Sequence, residues 1–199
     1  MSDETVIRCC APTLAAIKTG SLFNSPFESR EEMTASLRAI NRSLIPKGVC
    51  ALPLRYEDGK ALIYLYRPSM LKEDLKHPVA EDILKDAGYP EGSAAGHIAW
   101  LIRRLKEAET FPHEIGLFLG YPAVDVRGFI RQEECKGTGL WKVYGSDPDQ
   151  AQRTFARCRR CTKAYLQRRK EGWDLSRLTI RPGQFSYSEA ERLERKETT

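Results

Sequence analysis

Phe111-Pro-His-Glu-Ile-Gly-Leu-Phe-Leu-Gly-Tyr-Pro122 sets an almost fully apolar run, Ile115 to Leu119, directly behind the pair His113-Glu114. Gly116 lies within the run, Gly120 comes after it, and Tyr121-Pro122 stops it. A short apolar stretch bounded by glycine and proline predicts a buried strand. The titratable pair then stands at the strand entrance, a reasonable address for a site.

Working back from that stretch, Ser93–Ala108 carries Ile98, Leu101, Ile102 and Leu105 at the spacing of a core-facing helical stripe. Two shorter helical segments, around Met70–Lys76 and Val79–Ala87, are separated by His77-Pro78, and Gly88-Tyr-Pro-Glu-Gly92 is a break. Before them, Val49–Tyr56 and Ala61–Tyr66 read as strands joined by Glu57-Asp-Gly-Lys60, a hairpin signal. Leu52, Leu54, Ile63 and Leu65 supply its inward positions. Ser29-Arg-Glu-Glu32 has the form of a capping box, and Met33, Leu37, Ile40 and Leu44 come next at helical spacing. At the start, Cys9–Lys18 reads as a short helix with Pro12 in its first turn and Leu14 and Ile17 on its buried side; Gly20 ends it, and Ser21–Pro26 reads as a loop.

Working forward, Pro122 and Asp125 open a helix that includes Val126, Phe129 and Ile130, and Leu140–Tyr144 reads as a second short strand. Ser146-Asp-Pro-Asp149 starts a long helix to about Lys170, with Phe155, Cys158, Thr162, Tyr165 and Leu166 on one face. Leu175–Ile180 reads as an edge strand. The expected fold class is α/β (or α+β): a single domain over residues 1–182, with a small mixed sheet, a hairpin and helices packed around it. Gly183–Thr199 is a charged tail, expected to be a frayed helix or disordered.

Composition narrows the class. The 199 residues are 41% hydrophobic and 30% charged, the balance of a globular chain, with a modest net charge of +5. No apolar run approaches the roughly 20 residues of a membrane span. The opening Met1-Ser-Asp-Glu-Thr lacks the basic and apolar regions of a signal peptide. A cytoplasmic protein is expected, and its six cysteines read as thiols, ligands or core residues rather than disulfides.

Cys10-Ala-Pro-Thr-Leu-Ala-Ala-Ile-Lys18, Phe111–Pro122, Asp125-Val-Arg-Gly-Phe-Ile130 and Gly139-Leu-Trp-Lys-Val-Tyr-Gly145 resemble an uncharacterised bacterial family. That family is catalogued as a domain of unknown function and is found largely in anaerobic Firmicutes. The resemblance spans roughly Cys9 to Ile180. It implies a bacterial cytosolic protein and brings no activity with it.

Three groups of residues carry chemistry. A thiol at a helix N-terminus is activated by the helix dipole, so Cys10, with His113 as base and Glu114 orienting the ring, forms a candidate nucleophilic constellation. Cys158-Arg-Arg-Cys161 with Cys135 is a candidate metal or iron–sulfur set, although only one Cys-x-x-Cys pair is present. From Asp147 to Glu171 the long helix carries eight bases against three acids, a face suited to an anionic partner. Lys18, Tyr121, Trp141 and Tyr144 are candidate binding residues. The favoured reading is a small-ligand or partner-binding regulatory module with a pocket near His113-Glu114. A thiol-dependent or sulfur-handling enzyme and a cysteine metal site are the alternatives. A small molecule or an acidic protein is the expected partner; nucleic acid stays open but has no supporting motif, no membrane insertion is expected, and the cofactor is unknown.

Overall fold

The computed structural model describes residues 1–107 and 110–181; the expected tail, 183–199, lies outside the described residues. The hairpin forms as its sequence requires. Strands β2 (Cys50–Glu57) and β3 (Lys60–Tyr66) pair antiparallel from Cys50↔Tyr66 to Glu57↔Lys60. Asp58 (φ 48°) and Gly59 (φ 69°) both adopt the left-handed conformation of a two-residue hairpin turn. A bulge between Pro53 and Arg55 adds Leu54 to the same face as Leu52, away from Ile63 and Leu65.

Ser21–Pro26, expected as a loop, belongs to strand β1 (Gly20–Pro26), which pairs antiparallel with β3 from Gly20↔Tyr66 to Pro26↔Lys60. The order is β1-β3-β2, so β3 is central and buried on both faces. Tyr64 is as buried as Ile63 and Leu65. The sheet is antiparallel rather than mixed, and the fold takes the α+β form.

One face is covered by α1 (Asp3–Leu14) and α2 (Arg30–Leu44). Val6, Ile7, Cys10 and Leu14 join Met33, Leu37, Ile40 and Leu44 over Phe23, Ala61, Ile63 and Leu65. The other face is covered by α3 (Pro68–Asp74), α4 (Pro78–Asp86), α5 (Ala94–Glu107) and α6 (Ile115–Phe118). Leu71, Ile83, Leu84, Ile98, Leu101, Leu105 and Phe118 pack there against Tyr64 and Leu54. The remaining elements are α7 (Ala123–Ile130), a two-residue ladder of β4 (Gly137–Thr138) and β5 (Lys142–Val143), α8 (Pro148–Lys170) against α1, and α9 (Leu175–Leu178). Among the described residues no helix is long and apolar enough to cross a membrane.

Three further expectations differ. Helix α1 starts six residues before Cys9, because Ser2 caps it through Thr5 N and Asp3 and Glu4 suit its positive end. Pro12 therefore sits in the last turn, not the first. Ile115–Phe118 is a helical turn, not a strand. Leu175–Leu178 is likewise helical, capped by Asp174 through Arg177 N.

Arg67 ties these layers together. It comes directly after β3 and is buried, 2% exposed. Its guanidinium donates to Thr13 O and Leu14 O at 2.6 Å, to Ile180 O at 2.8 Å and to Lys47 O at 3.4 Å. The carbonyls at the end of α1 carry the negative end of its dipole, which offsets the cost of burying the charge. Burial still pushes the guanidinium pKa down, with the Tyr165 phenol nearby acting the other way. Arg67→Met is expected to lower unfolding stability by about 3 kcal/mol or more, since it strands several buried carbonyls. Urea unfolding measures this, and a midpoint equal to that of the parent protein would remove Arg67 from this role.

Candidate functional site

The short apolar run folds as a turn of helix because of the two residues that come after it. Gly120 takes φ 72°, Tyr121 N donates to Gly116 O at 3.0 Å, and Gly120 N donates to Leu117 O at 3.1 Å. This is the Schellman arrangement that ends a helix on a left-handed glycine. It turns Tyr121 back beside Gly116, where a Cβ would meet Val126 at 2.8 Å and Tyr121 at 3.2 Å. The absence of a side chain at Gly116 lets α6 and α7 approach each other.

Helix α7 supplies the second wall through Asp125. Its carboxylate is buried, 2% exposed, and accepts five hydrogen bonds. Oδ1 takes Tyr144 N and Gly145 N at 2.8 Å and Ser146 N at 2.9 Å. Oδ2 takes Trp141 Nε1 at 2.8 Å and Ser146 Oγ at 2.5 Å. Burial alone would raise the carboxyl pKa, but the bonds from Ser146, Tyr144 and Trp141 prevail and hold it below the usual carboxylate range. Asp125 thus fixes the loop 141–146 against α7.

Between these walls lies a cleft of about 290 Å³. Phe111, Pro112, His113, Ile115, Gly116, Tyr121, Asp125, Val126, Phe129, Trp141 and Lys142 line it. The lining is aromatic: His113 meets Phe129 edge-on at 4.9 Å, and Tyr121 lies 5.3 Å from Trp141. Phe111 and Phe129 are 45% and 37% exposed, so the rim offers apolar surface to solvent. Lys142 Nζ lies 5.7 Å from the Phe129 ring centre. Three of the four strings that carry the family resemblance, Phe111–Pro122, Asp125–Ile130 and Gly139–Gly145, meet in this cleft.

The expected binding residues divide. Tyr121 and Trp141 line the cleft. Tyr144 is buried behind it, close enough that a Cβ on Gly128 would meet its own at 2.4 Å. Lys18 holds its ammonium 5.1 Å from the Tyr121 ring centre but lines a second cleft, between α1 and α8.

Cys10, His113 and Glu114 are not drawn into one constellation. Cys10 lies well inside α1, not at its start, and is fully buried in the first core, where burial, ahead of all other influences, drives its thiol pKa far up. His113 is exposed at the rim of the aromatic cleft. Glu114 is buried and engaged elsewhere, 2.7 Å from Arg104 Nε and accepting from Tyr89 OH at 3.1 Å. The cysteine metal set is not assembled either: among the described residues no three His, Cys, Asp or Glu side chains converge. Cys135 is exposed and donates to Gly137 O at 3.2 Å, Cys158 is buried, and burial pushes the Cys161 thiol up to about 12.

Phe111, Val126, Phe129 and Lys142 line the site without being among the expected binding residues. The available signal is that each falls in one of the strings that carry the family resemblance. Nothing in the sequence marks Asp125 as the acceptor for backbone N–H groups at Tyr144, Gly145 and Ser146.

An antiparallel sheet covered by helices on both faces, with an aromatic cleft beside it, defines a small α+β protein. The chain belongs to the family described as a protein of unknown function (DUF3793), which matches residues 6–179. No curated protein and no solved structure matches the chain.

The depressed Asp125 pKa fixes a direction with pH. A carboxyl whose folded pKa is below its unfolded value stabilises fully above the unfolded value, and that stability is lost as pH falls through the folded one. In a background with Trp100 and Trp173 replaced by Phe, Trp141 emission is expected to hold its neutral-pH position down to the usual carboxylate range and to shift to the red below it. Asp125→Asn, which turns an amide donor toward Trp141 Nε1, is expected to give the shifted emission at every pH and to cost about 2 kcal/mol. An acid-insensitive Trp141 signal in the parent would contradict this assignment.

Proposed function

We propose that the protein is a binding module that takes a small planar apolar ligand, bearing an acidic group, in the cleft between α6, α7 and the 141–146 loop. The observation that carries this reading is the lining itself. Aromatic faces from three chain segments surround the cavity, and the carboxylate in its wall, Asp125, is fully engaged by the loop. Such a lining offers stacking and burial but no free acid. Exposed Lys142, at the mouth beside Phe129, then supplies a fixed positive charge for a ligand substituent. Phe111 and Phe129 bury their exposed faces on such a ligand, which adds the usual hydrophobic gain.

Residues 1–182 act as one domain on this reading, supported by the three-stranded sheet whose two faces carry the two main cores. A reducing, cytoplasmic setting in a bacterial cell accords with six cysteines that are all free thiols. The thiols then serve packing and the second cleft rather than catalysis.

Anilinonaphthalene sulfonate has the required shape and charge and serves as the probe. It is expected to bind one-to-one, with enhanced emission and quenching of Trp141. Phe129→Ala, at an exposed position, is expected to weaken it about tenfold, as loss of an aromatic anchor does. Lys142→Gln is expected to weaken the sulfonate several-fold, in the modest range of an exposed charge contact. Equal affinity for Phe129→Ala and the parent protein, or binding without saturation, would overturn the reading.

A further inference from the structure

The second cleft, about 480 Å³, lies between α1 and α8 and is separate from the aromatic one. We infer that it is an anion site for the phosphoryl group of a small phosphorylated ligand, gripped by Lys18, Arg159 and Lys163. Arg159 and Lys163 stand one helical turn apart on α8 and face the cleft together. Lys18 enters from the loop after α1, and Arg8 adds a fourth base at the rim, already paired with Glu4 at 2.6 Å. Among the described residues, no Asp or Glu lines the cavity. Among them too, neither Lys18, Arg159 nor Lys163 forms an ion pair with a carboxylate.

Lys18 is the most telling of the three. It is partly buried, and burial lowers the pKa of its ammonium, with the Cys158 and Cys10 thiols acting the other way. Those thiols supply no counter-charge, because burial raises their own pKa values and keeps them neutral. The Tyr121 ring at 5.1 Å provides only a weak electrostatic partner. A desolvated ammonium left in this state favours an anion that enters the cleft. Pro12, Leu140 and Leu166 line the cavity too, beside the hydroxyls of Ser21 and Thr162, and offer apolar surface to the organic part of a phosphate ester. The volume lies within the range of small-molecule pockets.

The site shares no lining residue with the aromatic cleft, and its test uses different residues. Inorganic pyrophosphate is titrated into the full chain at constant ionic strength, and amide shifts of Cys9, Thr162 and Lys163 are followed by NMR. Saturable shifts at these positions are expected. Lys18→Met is expected to weaken binding about tenfold, the affinity equivalent of one charge-assisted hydrogen bond. Lys163→Gln, at an exposed position where folding is not at risk, is expected to weaken it several-fold. Shifts that sodium chloride reproduces, or affinity unchanged in Lys163→Gln, would overturn the site. So would binding to single-stranded RNA that strengthens with length and displaces pyrophosphate, which would assign the basic face to a nucleic-acid backbone.

Discussion

The buried guanidinium of Arg67 is the constraint on which the rest of the arrangement depends. It binds the last carbonyls of α1, the carbonyl of Ile180 and, more distantly, that of Lys47, while its own backbone N–H donates to Thr19 O at 2.9 Å. Separated chain segments therefore meet at one residue. The end of α1 is held in place, and the turn that leaves it passes through Ala16 at φ 54° and delivers Lys18, Thr19 and Gly20 in fixed order. Lys18 points to the basic cleft, Thr19 donates to Asp74, and Gly20 presses on the second core. A Cβ on Gly20 would meet Phe118 O and the Tyr64 ring at 2.5 Å, so β1 abuts α6 directly.

Tyr64 continues the line of force. From the middle of the central strand its hydroxyl donates to Phe118 O at 2.5 Å, and its ring stacks on Tyr66 at 4.6 Å. The turn of helix that begins the aromatic cleft is thus fastened to the sheet at its C-terminal end. Glu114 fastens its N-terminal end to Arg104 and Tyr89 on the side of α4 and α5. With α6 held at both ends, Asp125 needs only to bring the 141–146 loop across to close a cavity. A rigid scaffold with one carboxylate-ordered loop is a sound basis for a preformed ligand site.

Much of this is legible in the sequence. Asp58-Gly59 marks the hairpin, Ser29 and Asp147 mark two helix starts, and the stripes of α2 and α5 mark their buried sides. Each is a local signal, fixed by a few neighbouring residues. Expectation and structure part where a short apolar run carries no period of its own, as at Ile115–Phe118, where Gly120 as a helix-ending residue is the deciding cue. They part again where a cap outweighs a proline: Ser2 with Asp3 and Glu4 moves the start of α1 upstream and takes Cys10 away from the helix N-terminus. The site itself depends on contacts between distant positions, Asp125 with Tyr144 and Ser146, or Arg67 with Ile180. No propensity encodes such pairings, because they arise from packing rather than from spacing.

The aromatic cleft, closed by the loop that Asp125 holds, is proposed as a ligand site. Its most direct test is a titration of the isotopically labelled protein with indole acetate, a planar acid that matches the lining, mapped by amide and indole NMR shifts. Saturable shifts are expected at Gly116, Tyr121, Val126 and the Trp141 indole, with the amides of β1 to β3 unmoved. Shifts confined to other surfaces, or none at concentrations that saturate ordinary small-molecule sites, would contradict it.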